Sequence, residues 1–291
     1  RGAGAETSVL LRGNTMGTLK LRRRRTAVAA SLATLAIAGG LAAAPAQAVD
    51  KTQYIALGDS YAAGQGAGPY KNDTCYRSRN TYSELAADTK AIKLVTNAAC
   101  SGQTTQGVAA TQLLQLDGST ELVTITAGGN NIGFGDIVTS CGAAISNPAF
   151  AGACANASAI ARAKIDSGQL AAEVAAMIQS VQAAAPNAKI VVTGYPYLFD
   201  PLPAGLTDPM SQFIDQATAL AVGLNGSIAL AAWGTKVQFV DVRPAFAGHG
   251  ILSNDPWING DTGNADSFHP NAAGYEAYYT ALNEAHVYSA P

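Results

Sequence analysis

Two kinds of apolar run alternate along this chain. Residues 52–57, 92–96, 122–126, 189–193 and 237–242 are short, rich in Val, Ile, Leu and Thr, and closed by turn residues, which predicts five strands. Longer segments between and after them predict helices over 82–90, 105–116, 158–185, 208–233 and 271–283. In the third of these, Ile160, Ile165, Leu170, Val174, Met177, Ile178 and Val181 recur near the helical period. Glu84 and Asp88 stand four apart on one face of the first. Strands alternating with helices build βαβ units and a parallel sheet. The expected fold is therefore α/β: a three-layer α/β/α sandwich on a five-stranded, parallel, doubly wound (flavodoxin-like) sheet. No internal repeat or interdomain linker interrupts it, which predicts a single domain.

In such a sheet the strands deliver their carboxyl ends to one edge, where ligands bind. The first strand ends in Tyr54-Ile55-Ala56-Leu57 and runs into Gly58-Asp59-Ser60, which presents Ser60 at that edge. Alone, the tripeptide favours an ordinary loop, because these are common turn residues. A serine nucleophile also needs a base. Three histidines are present, His249, His269 and His286. His286 lies close to the end of the sequence, and His249 lies between glycines in a long loop. His269 follows the fifth strand and precedes a helix with Pro270 in its first turn. Asp266, three residues earlier, can fold back onto its Nδ1 in a tight turn. Helix capping by His269 and an Asx turn at Asp266 are the plain structural alternatives. Oxyanion donors are available on the same edge: the backbone N–H of Gly102 after the second strand and the Asn130 amide after the third. Turn geometry explains any one of these residues. Four loops that each bring a fitting group to one edge point to acyl transfer.

The amino-terminal part changes the picture of the rest. Arg22 to Arg25, an alanine-rich apolar run and Pro45-Ala46-Gln47-Ala48 have the order of a secretory signal peptide, with cleavage after Ala48 rather than a membrane anchor. Residues 1–15 read as translated leader, with Met16 as the start. Residues 1–48 are thus expected to be removed, leaving a secreted, extracellular domain at 49–291 without a stable membrane anchor. Seven of the 18 Lys and Arg and one of the 20 acidic residues lie in 1–48. Eleven basic residues then face nineteen acidic ones, a formal net charge of −8. That balance, with no basic cluster, argues against nucleic acid as a partner. The four cysteines, Cys75, Cys100, Cys141 and Cys154, all fall in 49–291. An even count in an exported chain predicts two disulfides. Three pairings are possible; nearest neighbours, Cys75 with Cys100 and Cys141 with Cys154, are preferred. No C-x-x-C occurs and no histidine lies near, so no zinc site is expected.

Taken together, the motifs resemble the SGNH (GDSL) hydrolase family, and most of all its secreted actinobacterial lipase and esterase branch. Gly58-Asp59-Ser60, Gly102 within Asn97-Ala98-Ala99-Cys100-Ser101-Gly102, Gly129-Asn130, and Asp266-Ser267-Phe268-His269-Pro270 match its four blocks in order. They span almost the whole of 49–291. The resemblance implies a serine ester hydrolase that works through an acyl-enzyme. Ser60 is its nucleophile, His269 the base and Asp266 the residue that orients His269. Ser60, Gly102 and Asn130 form the oxyanion hole, and no metal or organic cofactor takes part. One departure is Asn131, where the family usually has Asp; altered loop hydrogen bonding is expected there, rather than inactivity. No G-x-S-x-G elbow is present, against an ordinary α/β-hydrolase. Gly64-Gln65-Gly66-Ala67-Gly68 lacks the nucleotide-binding spacings and reads as a flexible loop beside the nucleophile.

The expected substrate is a lipid or acyl ester, phospholipids included, hydrolysed by a monomer. Apolar loop segments after strands four and five, residues 195–203 and 256–258, are candidates to carry the acyl chain, or else to pack the core. A carbohydrate O-acetyl ester is the alternative within the same chemistry. A non-catalytic secreted binding module is the alternative outside it.

Overall fold

The computed structural model describes residues 50–72, 74–261 and 263–289. The signal segment expected at 1–48 lies outside the described residues. The chain runs through β1 (Thr52–Gly58), a short helix α1 (Ser60–Ala63), a hairpin of β2 (Tyr70–Asn72) and β3 (Arg77–Ser78), and α2 (Tyr82–Ala87). There follow β4 (Ile92–Asn97), α3 (Thr105–Thr111), β5 (Leu122–Thr126), α4 (Phe134–Ser146), α5 (Ala151–Asp166) and α6 (Gln169–Ala184). The last elements are β6 (Lys189–Thr193), α7 (Pro209–Ala232), β7 (Gln238–Val240) and α8 (Ala272–Glu284).

Five strands form one parallel sheet in the order β4-β1-β5-β6-β7. β5 is buried along its whole length and β1 and β6 along most of theirs. This is why they read as near-continuous apolar runs; the edge strand β4 instead mixes buried and exposed positions. Helices α2 and α8 pack together, while α3, α6 and α7 form a second packed group with α5 against α6 and α7. With right-handed crossovers this places the two groups on opposite faces of the sheet, the doubly wound arrangement expected from the sequence. The helix starts are chemically marked. Thr104, Asp208 and Asn271 each accept a backbone N–H of the first turn of α3, α7 and α8.

The strand order reverses between β1 and β5, and ligands bind at such a point. Gly58 ends β1 there with φ 133°, and a β-carbon on it would lie 2.1 Å from the Thr126 carbonyl oxygen. The next residue, Asp59, donates its N–H to that same oxygen at 2.9 Å. The buried Gln112 side chain, at the end of α3, accepts from the Gly58 N–H and donates to the Gly58 carbonyl, both at 2.8 Å. Behind this corner, hydroxyls cross the sheet in a chain. Tyr82 bonds Thr126 at 2.9 Å, Thr126 bonds Thr193 at 2.6 Å, and Thr193 bonds Tyr278 at 2.9 Å.

Among the helices the structure departs from the sequence reading at α4, α5 and α6. The helix expected over 158–185 is two helices, α5 and α6, broken at Ser167-Gly168, where Gly168 has φ 75°. The apolar period belongs to α6, which buries Leu170, Val174, Met177, Ile178 and Val181, whereas α5 buries only Ser158 and Ala161 and leaves Ile160 exposed. Helix α4 had no counterpart in the pattern: glycine, serine, threonine and β-branched residues give it a weak helical signature. It carries Cys141, which lies at disulfide distance from Cys154 of α5, 2.01 Å between sulfurs. Cys75, in the β2–β3 turn, stands 1.95 Å from Cys100 after β4.

Candidate active site

The turn after β1 is held by Asp59. One carboxylate oxygen caps α1 by accepting the Tyr61 N–H at 3.0 Å, and the other accepts the Tyr195 hydroxyl. The Tyr195 oxygen accepts the Gly129 N–H at 3.1 Å, so one buried chain ties the turn after β1 to the turn after β5. Burial pushes the Asp59 carboxyl up to about 7, against the Tyr195 and Tyr61 bonds that stabilise its ionised form. Asp59 thereby aims the first residue of α1, which is Ser60.

The structure brings Ser60 and His269 together: Ser60 Oγ and His269 Nε2 are 2.8 Å apart. His269 Nδ1 is 2.8 Å from the carbonyl oxygen of Ser267. A carbonyl can only accept, so this contact places the proton on Nδ1 and leaves the Nε2 lone pair facing the Ser60 hydroxyl. Burial pushes the imidazole down to about 4, while the Ser267 carbonyl and the charge of Asp266 pull in the opposite direction. His249 is elsewhere, stacked on Trp257 with centroids 3.4 Å apart and bonded through Nδ1 to the Asp255 carbonyl.

The orienting role expected of Asp266 needs correction. Its carboxylate accepts the Tyr70 hydroxyl, and burial together with Asp266 pushes that phenol up to about 12. The reason is the turn itself. The Asp266 carbonyl accepts the His269 N–H at 3.3 Å, and Phe268 adopts φ 63°. A left-handed residue there turns the preceding carbonyl toward the ring. The next carbonyl, that of Phe268, accepts the Tyr61 hydroxyl at 2.6 Å.

The glycine-rich segment expected to be flexible is instead a packed cradle. Gln65 is 4 % exposed; its amide donates to the Ala265 carbonyl and accepts the Ser101 hydroxyl at 2.6 Å. Tyr275 donates to the Gln65 carbonyl at 3.0 Å. Gly66 has φ 97°, and a β-carbon on it would fall 2.5 Å from the Pro270 oxygen and 2.8 Å from the His269 β-carbon. Side-chain type alone marked neither Gln65 nor Tyr195, and the Ser267 carbonyl belongs to no side chain. The available signal was position: Gln65 follows the first motif, Ser267 lies within the last, and Tyr195 opens the apolar segment after the fourth predicted strand.

Gly102 and Asn130 line the same open cleft as Ser60 and His269. The N–H groups of Ser60 and Gly102 have no protein acceptor among the described residues. Asn130 donates one amide hydrogen to the Gln103 carbonyl at 2.9 Å, which leaves the second for a ligand. Phe134, Val138 and Phe213 border both this cleft and an adjoining apolar pocket, which Tyr61, Ile132 and Leu224 help to wall. Of the two apolar segments, 195–203 supplies Tyr195, Pro196 and Leu198 to that pocket. In 256–258, Ile258 is core and Trp257 packs on His249. Among the described residues no group of three His, Cys, Asp or Glu side chains is placed to hold a metal.

A serine hydroxyl within hydrogen-bond reach of an imidazole nitrogen, in an open cleft, is the pairing that nucleophilic catalysis uses. The chain belongs to the GDSL-like Lipase/Acylhydrolase family, whose model matches residues 56–277. It is a carboxylic ester hydrolase of lipase type. It is 36% identical over 276 residues to a lipase of Streptomyces rimosus, covering 92% of this chain and all of that one. Identity to Lipase 1 of Streptomyces coelicolor is 34% over 275 residues, covering 90% and 99%. The crystal structure of the extracellular lipase from S. rimosus superposes with a TM-score of 0.72 at 35% identity, covering 80% of this chain and 99% of that one. That of phospholipase A1 from Streptomyces albidoflavus NA297 gives 0.71 at 35% identity and the same coverage.

Two outcomes follow from this geometry. Gly66→Ala must displace backbone or His269, so kcat/KM is expected to fall about 10²-fold in a folded protein, as for misplacement near 1 Å. Gly226→Ala, whose β-carbon meets open space, serves as the control and should keep full activity. The second outcome concerns pH. A base must be neutral to work, and His269 is neutral above about 4. The acid limb of kcat/KM should therefore centre near pH 4, with activity lost as the pH falls through it. A limb near the ordinary imidazole value of 6.5 would show that the ring is solvated.

Proposed function

We propose that the chain is a secreted serine hydrolase of lipid and acyl esters that works through a Ser60–His269 pair and an acyl-enzyme. The observation that carries this reading is the 2.8 Å contact between Ser60 Oγ and the unprotonated Nε2, at the rim of an apolar pocket. Ser60 Oγ attacks the ester carbonyl carbon as its proton passes to His269 Nε2. The Ser60 and Gly102 N–H groups and the Asn130 amide receive the oxyanion. As the intermediate collapses, the imidazolium returns that proton to the departing alcohol, leaving Ser60 acylated. Water, deprotonated by the same nitrogen, releases the acid. The Ser267 carbonyl holds the ring and accepts from Nδ1–H throughout; Asp266 contributes its charge at a distance. An acyl chain of the substrate lies in the apolar pocket behind Phe134 and Phe213. Secretion is supported by the signal-like pattern at 1–48 and by two cysteine pairs at disulfide distance.

Three measurements test this. Ser60→Ala should abolish ester hydrolysis without unfolding the chain, and a serine-directed phosphonate should label Ser60 alone. Asp266→Asn should cost less than about 10-fold in kcat, whereas a triad carboxylate removed in this way costs about 10⁴-fold. On p-nitrophenyl esters of rising chain length, kcat/KM should climb beyond acetate. If acetate stays best, and acetylated polysaccharide is deacetylated faster, the substrate is a carbohydrate ester.

A further inference from the structure

Asn131 follows the proposed oxyanion residue Asn130 in the same single turn, yet its side chain points away from the cleft and is 5 % exposed. Its Oδ1 accepts the Thr105 N–H at 3.0 Å. Its Nδ2 donates toward the Thr105 hydroxyl at 2.8 Å, Gln106 Oε1 at 3.0 Å and Glu173 Oε2 at 2.6 Å. Thr105 and Gln106 open α3 directly after Gly102-Gln103-Thr104, the loop that carries the other proposed donor. From α5, Lys164 donates to the Asn131 carbonyl at 2.6 Å. From α6, Glu173 is held in turn by Gln169 at 2.8 Å. The turn with Asn130 and the loop with Gly102 thus meet through this amide as well as through the Asn130 bond to the Gln103 carbonyl, and Asn131 is gripped from behind by two helices.

We infer that Asn131 is a positioning residue that spaces the two oxyanion loops, and that an amide is required there because the network closes on the Glu173 carboxylate. The inference rests on the oxyanion assignment made above. The groups facing Asn131 are Thr105 and Gln106 from α3, which do not titrate, Lys164 from α5 and Glu173 from α6. Burial raises the Glu173 carboxyl, but its bonds to Asn131, Gln169 and Gln106 and the charge of Lys164 outweigh that and hold it below the ordinary range. Asn131→Asp keeps the shape and replaces the donor facing Glu173 with a second carboxylate. Two carboxylates in contact cannot both stay ionised at no cost.

The experiment is steady-state kinetics from pH 5 to 8 on Asn131→Asp, and on the exchange variant Asn131→Asp/Glu173→Gln, which restores a donor opposite the carboxylate. For Asn131→Asp, kcat at neutral pH should fall about 10-fold or more, with KM within about twofold. It should recover as the pH drops and the pair takes up a shared proton. The exchange variant should return to within about threefold of the parent, with no such recovery limb. A purely structural role would lower the folded fraction without a pH limb. Should Asn131→Asp not fold, the exchange variant decides alone: near-parental kcat supports the inference. An exchange variant that is impaired or unfolded, or an Asn131→Asp with parental kcat at pH 8, overturns it. Asn130→Ala separates the two levels. Its expected loss is about 10²–10³ in kcat. If it is inert, the oxyanion assignment itself fails; if it is crippled while Asn131→Asp is unaffected, only the present inference does.

Discussion

The catalytic corner depends on a place where two strands pass too closely for a β-carbon. Gly58 at the end of β1 faces the Thr126 carbonyl of β5, and no side chain fits between them. The absence of that one atom lets Asp59 bond to β5 and swing α1 across the top of the sheet. Without it, Ser60 would not emerge at the point where the strand order reverses. Two hydrogen bonds to the Gln112 amide hold the same glycine from the α3 side. An unusual backbone conformation is thus compensated by these three neighbouring hydrogen bonds, as strain at functional sites must be.

From this corner, polar links spread to every other part of the site. Asp59 reaches the turn after β5 through Tyr195, and Gln65 joins the His269 loop to the Gly102 loop. Each link is a buried polar group with its partners satisfied, and leaving one unmet costs about 1–3 kcal/mol. The network is therefore stiff, which suits a hole that must be in place before charge develops in it. The substrate side is built differently. The apolar pocket beyond Phe134 is lined almost wholly by side chains of α4, α7 and the segment after β6, and it carries little polar specificity.

That Ser60, Gly102, Asn130 and His269 share one cleft was legible in the sequence, because each is a side chain or a glycine in a turn after a strand, and turns and strands leave local signatures. The parallel, doubly wound sheet followed from the alternation of strands and helices. What escaped the reading has more than one cause. The cradle at Gly64–Gly66 depends on where a neighbouring segment lies; the break at Gly168 is local, a left-handed glycine with nothing packed within 4 Å, and the apolar period masked it. The orienting group was placed on Asp266 because a carboxylate at that spacing is the chemically natural partner. The turn at Phe268 decided otherwise, and no residue type announces a φ of 63° at a phenylalanine. Asn131 looked like a minor departure because its partners lie 25 to 42 positions away.

A carbonyl as third partner has a consequence for how this site keeps its record. Side-chain substitution leaves every main-chain oxygen in place, so an alanine scan of the loop would light up His269 and pass over the group that aims it. Position 266 bonds to Tyr70 and reaches the ring only through its charge. Comparing relatives by their conserved side chains would then count a partner that does not touch the ring and miss the one that does. The information that fixes the tautomer is stored in the shape of a turn.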